Sequence, residues 1–190
     1  LALAAFPVAL GSLQMFSGFV QFLQQVAVAL VRDPQSYAVV RRFTWITAWV
    51  ATGLVAFVAM TPFGNLYHGT VIGLEGPVLA MANSSLRLLI AAAWLTTFQC
   101  YLQGMLIRKA RTVAVNAAAL GNLVLLVGAV NAIAIATSWP GHVIAGVVYP
   151  VALLIEVAML YVWYRPVERE LRARLPAPEP EPVKRAEAAG

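Results

Sequence analysis

Hydrophobic positions in this chain fall into five long runs, and polar residues either fill the gaps between runs or recur singly at helical spacing within them. A membrane-crossing helix needs about 20 mostly apolar residues at 1.5 Å rise each. The first run, Leu1 to Val31, exceeds that. Gln14, Gly18, Gln21 and Gln25 share one of its faces, as contacts to a neighbouring helix or as the lining of a watery cavity. Arg32 to Arg42 reads as a short connection, with Pro34 stopping the first helix. Phe43 to Met60 is the second span, opened by Trp45 and Trp49, with Thr44, Thr47 and Ala51 as a small-residue side suited to close packing.

The loop Pro62 to Gly76 holds Asn65, His68 and Glu75 but no basic residue. The third run, Pro77 to Ile107, reaches roughly 46 Å as a helix, so it is expected to tilt, break or leave the hydrocarbon, with Asn83-Ser84-Ser85 as the break or a cap. Val113 to Ser138 gives a fourth span containing Asn116, Asn122 and Asn131, with Gly121 and Gly128 for close helix approach. An uncharged reversal, Trp139-Pro140-Gly141-His142, leads to the fifth, Val143 to Tyr164. The pattern predicts an all-α, polytopic membrane bundle of five transmembrane helices over residues 1–165. Residues 166–190 read as a tail: an amphipathic stub, VERELRARL, pairing Glu168 with Arg172 and Glu170 with Arg174, then a Pro, Glu and Ala mixture expected to be disordered.

Composition generalises this picture. Hydrophobic residues make up 61% of 190 and charged residues 11%, with a mean hydropathy of +0.79, well beyond what one soluble core requires. The bilayer is therefore the expected partner. Nearly all charged residues, with their net +5, fall between the apolar runs or in the tail, which suits membrane orientation and argues against nucleic-acid binding. Arg32, Arg41 and Arg42 follow span one, Arg108, Lys109 and Arg111 follow span three, and Arg165, Arg169, Arg172 and Arg174 follow span five. The positive-inside rule then places the C-terminus in the cytoplasm and starts the first helix outside. That start, already apolar at Leu1, predicts earlier spans upstream.

Enzyme chemistry has little to stand on. Cys100 is the only cysteine, which excludes an internal disulfide and cysteine-ligated zinc or iron-sulfur clusters. Phosphate-cradling glycine loops, HExxH and GxSxG are absent from the sequence. His68 and His142 fall in the two outer loops that lack lysine and arginine, where exposed surface is a plainer reading than ligation of haem in a membrane enzyme. No cofactor is expected beyond H⁺ or Na⁺ as a coupling ion.

Two charges lie inside apolar runs, Arg87 and Glu156. A charge at a helix centre costs about 2.5–3.5 kcal/mol on insertion scales, so each needs a partner or water. Carboxyls kept from water favour the protonated form, a property that lets them load and release protons. The alternatives are an Arg87–Glu156 ion pair joining two helices, and snorkelling of Arg87 to the outer interface. Tyr149 and Trp163, seven residues either side of Glu156, share its face. Thr96, Gln99 and Gln103 stripe the third span on a face away from Arg87. The candidate substrate or coupling-ion residues are thus Arg87, Glu156, Gln21, Gln25, Gln99 and Gln103.

The words RRFTWITAWVATGLVAFVAMTPFGN, SLRLLIAAAWLTTFQCYLQGMLIRKARTVAV and LIEVAMLYVWYR resemble the last five helices of the multidrug/oligosaccharidyl-lipid/polysaccharide exporter superfamily. The nearest resemblance is to the progressive ankylosis and multidrug and toxic compound extrusion types, over about residues 5–165. It rests on Arg41-Arg42-Phe43-Thr44, on Thr61-Pro62, on Leu86-Arg87 and on the turn after Met105. It implies two six-helix lobes around a central cavity, this chain supplying helices 8 to 12 and an N-terminal lobe of the same protein completing the path. It also implies export of amphiphilic, anionic or lipid-linked solutes by alternating access, in a bacterial cytoplasmic membrane. A non-transporting scaffold or accessory subunit is the alternative.

Overall fold

A computed structural model describes residues 2–173, apart from the side chains of residues 2–4 and 172; the expected disordered segment 174–190 lies outside them. The described residues form helices joined by short turns, with no strand, and five helical stretches are long and apolar enough to cross a membrane.

The first span is interrupted. Helix α1 (Ala2–Ser17) passes through a 3₁₀ turn (Gly18–Gln21) into α2 (Phe22–Leu30). Ser17 folds its hydroxyl onto the Leu13 carbonyl at 2.6 Å, and Gly18 follows it, a pairing that bends helices.

Helix α3 runs from Pro34 to Met60, nine residues earlier than the hydrophobic run suggested. Asp33 accepts from the Ser36 amide at 2.7 Å while the Ser36 hydroxyl accepts from the Asp33 amide at 3.0 Å. This capping box, with Pro34 in the first turn, starts a helix where proline alone signalled a stop. Arg41 and Arg42 therefore stand on the first turns of α3, not in a loop. Thr44, Thr47 and Ala51 are buried, forming the close-packing side read from sequence.

Beyond α3, a short helix α4 (Pro62–Leu66) runs into a single π turn (Tyr67–Val71). The third run is two helices, α5 (Gly76–Leu88) and α6 (Ile90–Arg108), of which only α6 has spanning character. They meet at Leu89 and not at Asn83-Ser84-Ser85. The Ser84 and Ser85 hydroxyls both donate back to the Met81 carbonyl, at 2.9 and 2.8 Å, so these polar residues are accommodated within helix.

Helix α7 (Thr112–Ala136) is followed by α8 (Gly141–Ala173), which carries Pro150 and Pro166 internally. The stub placed in the tail continues α8, because Val167 and Leu171, one turn apart, are buried in the same apolar cluster as Tyr37 and Leu160. Glu168 accepts from Tyr37 and Glu170 pairs with Lys109 at 3.3 Å; the side chains of Arg172 and Arg174 lie outside the described residues.

The first and third spans approach closely at Gly104 of α6. A Cβ there would stand 2.5 Å from the Gln24 carbonyl and 2.8 Å from the Ala27 Cβ, so only glycine lets α2 and α6 cross this tightly.

The three basic segments meet at one end of the bundle. Arg108 donates to the Val28 carbonyl at 2.6 Å, Lys109 meets Glu170, and Arg111 donates to the Trp163 carbonyl at 3.3 Å. One apolar cluster fills this basic half, around Tyr101, Met105 and Leu160, and another fills the opposite half, around Leu13, Val55 and Leu89. Between them a layer of polar side chains lies beside a small third apolar cluster of Val20, Leu23, Ala51 and Cys100.

Candidate functional site

Glu156 sits in that layer, in the middle of α8, with 1% of its surface exposed. Oε1 accepts from the Gln99 side-chain amide at 2.7 Å and from that of Gln103 at 3.2 Å, both on α6; Oε2 accepts from Asn122 of α7 at 2.5 Å. Gln99 and Gln103 are four apart and so stack on one helix face. Three neutral donors on three oxygen lone pairs compensate part of the cost of burying the carboxylate while adding no positive charge. Among the described residues Glu156 has no ion-pair partner.

A polar cavity of about 270 Å³ opens on the other side of the two glutamines. Gln99 and Gln103 line it with Thr96 and Cys100; Tyr149 of α8 adds one edge. The opposite wall comes from the broken part of the first span, Gln14, Gly18, Gln21 and Gln24. Here the helical phase departs from the sequence reading. A 3₁₀ turn has 3.0 residues per turn, so Gly18, Gln21 and Gln24 align, and Gln25 is rotated to an exposed position next to Val28 and Ile107. Gln24, missed by an unbroken 3.6-residue period, replaces Gln25 in the cavity. Among the described residues, no lysine or arginine lines the cavity.

Arg87 lies elsewhere. It is exposed, and its Nε donates to the Ala59 carbonyl at 3.1 Å, one residue from the end of α3. The Arg87–Glu156 ion pair is therefore not formed, and the guanidinium caps an end carbonyl of α3 at the end of the bundle away from the other arginines. The break at Leu89 is the physical reason: it places Arg87 before the spanning part of its run. Trp163, on the Glu156 face by heptad count, is half exposed near Arg111 and does not line the cavity.

The histidines also differ from their surface reading. His68 is fully buried in the π turn. Its Nε2 lies 2.9 Å from Ser12 Oγ and its Nδ1 2.5 Å from Asn83 Oδ1, while the Asn83 amide donates to Asn65 at 2.5 Å. Ser12 Oγ is also 2.9 Å from the Val8 carbonyl. With one hydroxyl proton, Ser12 donates either to Val8 or to a neutral His68, and with Ser12 turned to Val8 the ring must itself donate from Nε2. Both ring nitrogens are engaged, so neither is free for a haem. His142, in the first turn of α8, is buried with Nδ1 unpartnered. No sequence spacing signals the Ser12–His68–Asn83–Asn65 chain, because it joins α1, α4, the π turn and α5.

Compared with protein families, with curated proteins and with solved structures, the chain matches none. The chemistry of the site therefore rests on its own geometry: a lone buried carboxylate behind a screen of amides, facing a cavity bounded by an interrupted membrane helix.

Proposed function

We propose that this bundle is one lobe of a secondary membrane transporter, working by alternating access as its resemblance to the multidrug and toxic compound extrusion type implies, with Glu156 as the site of a coupling cation. The observation that carries this reading is the Glu156 carboxylate, held by three amides without a counter-charge beside a polar cavity at the break in the first span. Transporter sites recur where helices are discontinuous near the membrane midplane, since unwound backbone and polar side chains there replace the hydration of an ion. An ionisable residue so placed is costly to keep unless its charge is used.

Cargo of amphiphilic or cationic character suits a cavity lined by amides and tyrosine. The anionic cargo expected from Arg87 has no guanidinium in the cavity to receive it. The basic end faces the cytoplasm on the positive-inside rule.

The test is flux through the full-length protein in proteoliposomes containing a dye for H⁺ or Na⁺. Glu156→Gln is expected to insert and fold while cation-coupled flux falls about tenfold or more, equivalent to about 1.4 kcal/mol. Undiminished coupling removes Glu156 from the mechanism, and an intact protein that binds a partner subunit but moves no solute favours the scaffold reading.

A further inference from the structure

A second concavity, separate from the Glu156 layer, opens near the basic end. Its floor is α6, through Phe98, Tyr101 and Leu102, and its walls are Tyr37, Arg41 and Trp45 of α3 and Tyr161 and Tyr164 of α8. It measures about 390 Å³. The polar groups deep in it are engaged with one another: the Tyr101, Tyr164 and Tyr37 hydroxyls form a chain with 3.1 Å steps, and Tyr37 donates to Glu168 at 3.4 Å. An occupant meets mainly ring and methyl surface.

Arg41 of α3 lines the mouth and Arg165 of α8 stands beside it over Tyr161, while the Glu168 carboxylate, which accepts from Tyr37, also lines the groove. The Arg41 guanidinium stands 5.9 Å over the Tyr37 ring, and that of Arg165 stands 5.2 Å over the Tyr161 ring. Both arginines are exposed, as are Trp45 and Tyr161. Stacking fixes each guanidinium against a ring of the groove wall, an arrangement that presents its edge donors to an anion. An acyl chain is thin enough to thread it, and basic pockets between membrane helices suit anionic head groups.

We infer that the groove between α3 and α8 is a binding site for an anionic glycerophospholipid of the leaflet at the basic end, with one acyl chain along Trp45 and Tyr161 and the phosphate between Arg41 and Arg165. This lipid is a resident of the bundle, not its cargo, and the inference stands whether or not Glu156 couples transport.

The full chain in vesicles tests it, using phosphatidylglycerol or phosphatidylcholine brominated on the acyl chains to quench tryptophan fluorescence. The Trp45 contribution is the difference in quenching between the native chain and W45F. It is expected to be about twofold or more larger with brominated phosphatidylglycerol, and equal for the two lipids in R41Q/R165Q. Should the double variant fail to insert, R41Q and R165Q singly, both at exposed positions, must each reduce the preference. An equal contribution from the two lipids in the native chain, or a preference that survives the arginine substitutions, overturns the assignment.

Discussion

Glu156 and His68 are both buried polar residues, yet the sequence marks them very differently. A carboxyl within an uninterrupted apolar run is conspicuous, and the glutamines at helical spacing that bind it are legible on the same grounds. Asn122 is visible as a polar residue within its span, but its bond to Glu156 depends on how α7 packs on α8, which no periodicity records. His68 lies among turn residues, so its complete burial by Ser12, Asn83 and Asn65 had no signal at all. That burial has a measurable consequence. Asn83→Leu strips partners from both His68 and Asn65, and is expected to lower unfolding stability in detergent by about 1–3 kcal/mol. An unchanged midpoint contradicts a continuous network.

Helix ends decide how far hydrophobic runs can be trusted as elements. The runs located every span, but caps and breaks moved their ends: the Asp33–Ser36 box extended α3 backwards past two arginines, and Val167 with Leu171 carried α8 past its aromatic end. The backbone amide of Ser36, then its hydroxyl, hold the exposed Asp33 carboxyl below its usual range. A carboxyl with a depressed folded pKa stabilises the fold above its unfolded pKa, and this contribution is lost as pH falls through the folded one. Asp33→Asn is therefore expected to flatten the acid limb of the stability profile below about pH 4, the ordinary carboxylate range, and an unaltered limb contradicts the cap. In the separate turn between α6 and α7, α6 closes with Arg111 donating its amide to the Leu106 carbonyl and Ala110 to Ile107, both at 2.9 Å, with Ala110 at φ +55°. This paired closure ordinarily uses glycine in the left-handed position. Ala110→Gly is expected to raise stability by about 1 kcal/mol, read as a higher thermal midpoint; a decrease shows that the turn does not hold this geometry.

Across the described residues, five helices long and apolar enough to span a membrane gather three basic segments at one end and hold a polar layer between two apolar halves. The five spans and the basic grouping follow from the order of apolar runs and arginines. The polar layer does not, because it depends on a 3₁₀ turn that rephases Gln24 and on a helix junction that removes Arg87. The sole cysteine, Cys100, lines the cavity in this layer and is almost fully buried, which makes it a built-in reporter of access. On the proposed transport function, the cavity opens toward water in a state that ion binding at Glu156 selects. The most direct measurement is labelling of Cys100 by a membrane-impermeant maleimide in oriented proteoliposomes under imposed H⁺ and Na⁺ gradients. A gradient-dependent labelling rate that becomes gradient-independent in Glu156→Gln is the predicted result; a Cys100 that stays unlabelled under every gradient, or responds identically in both proteins, contradicts it.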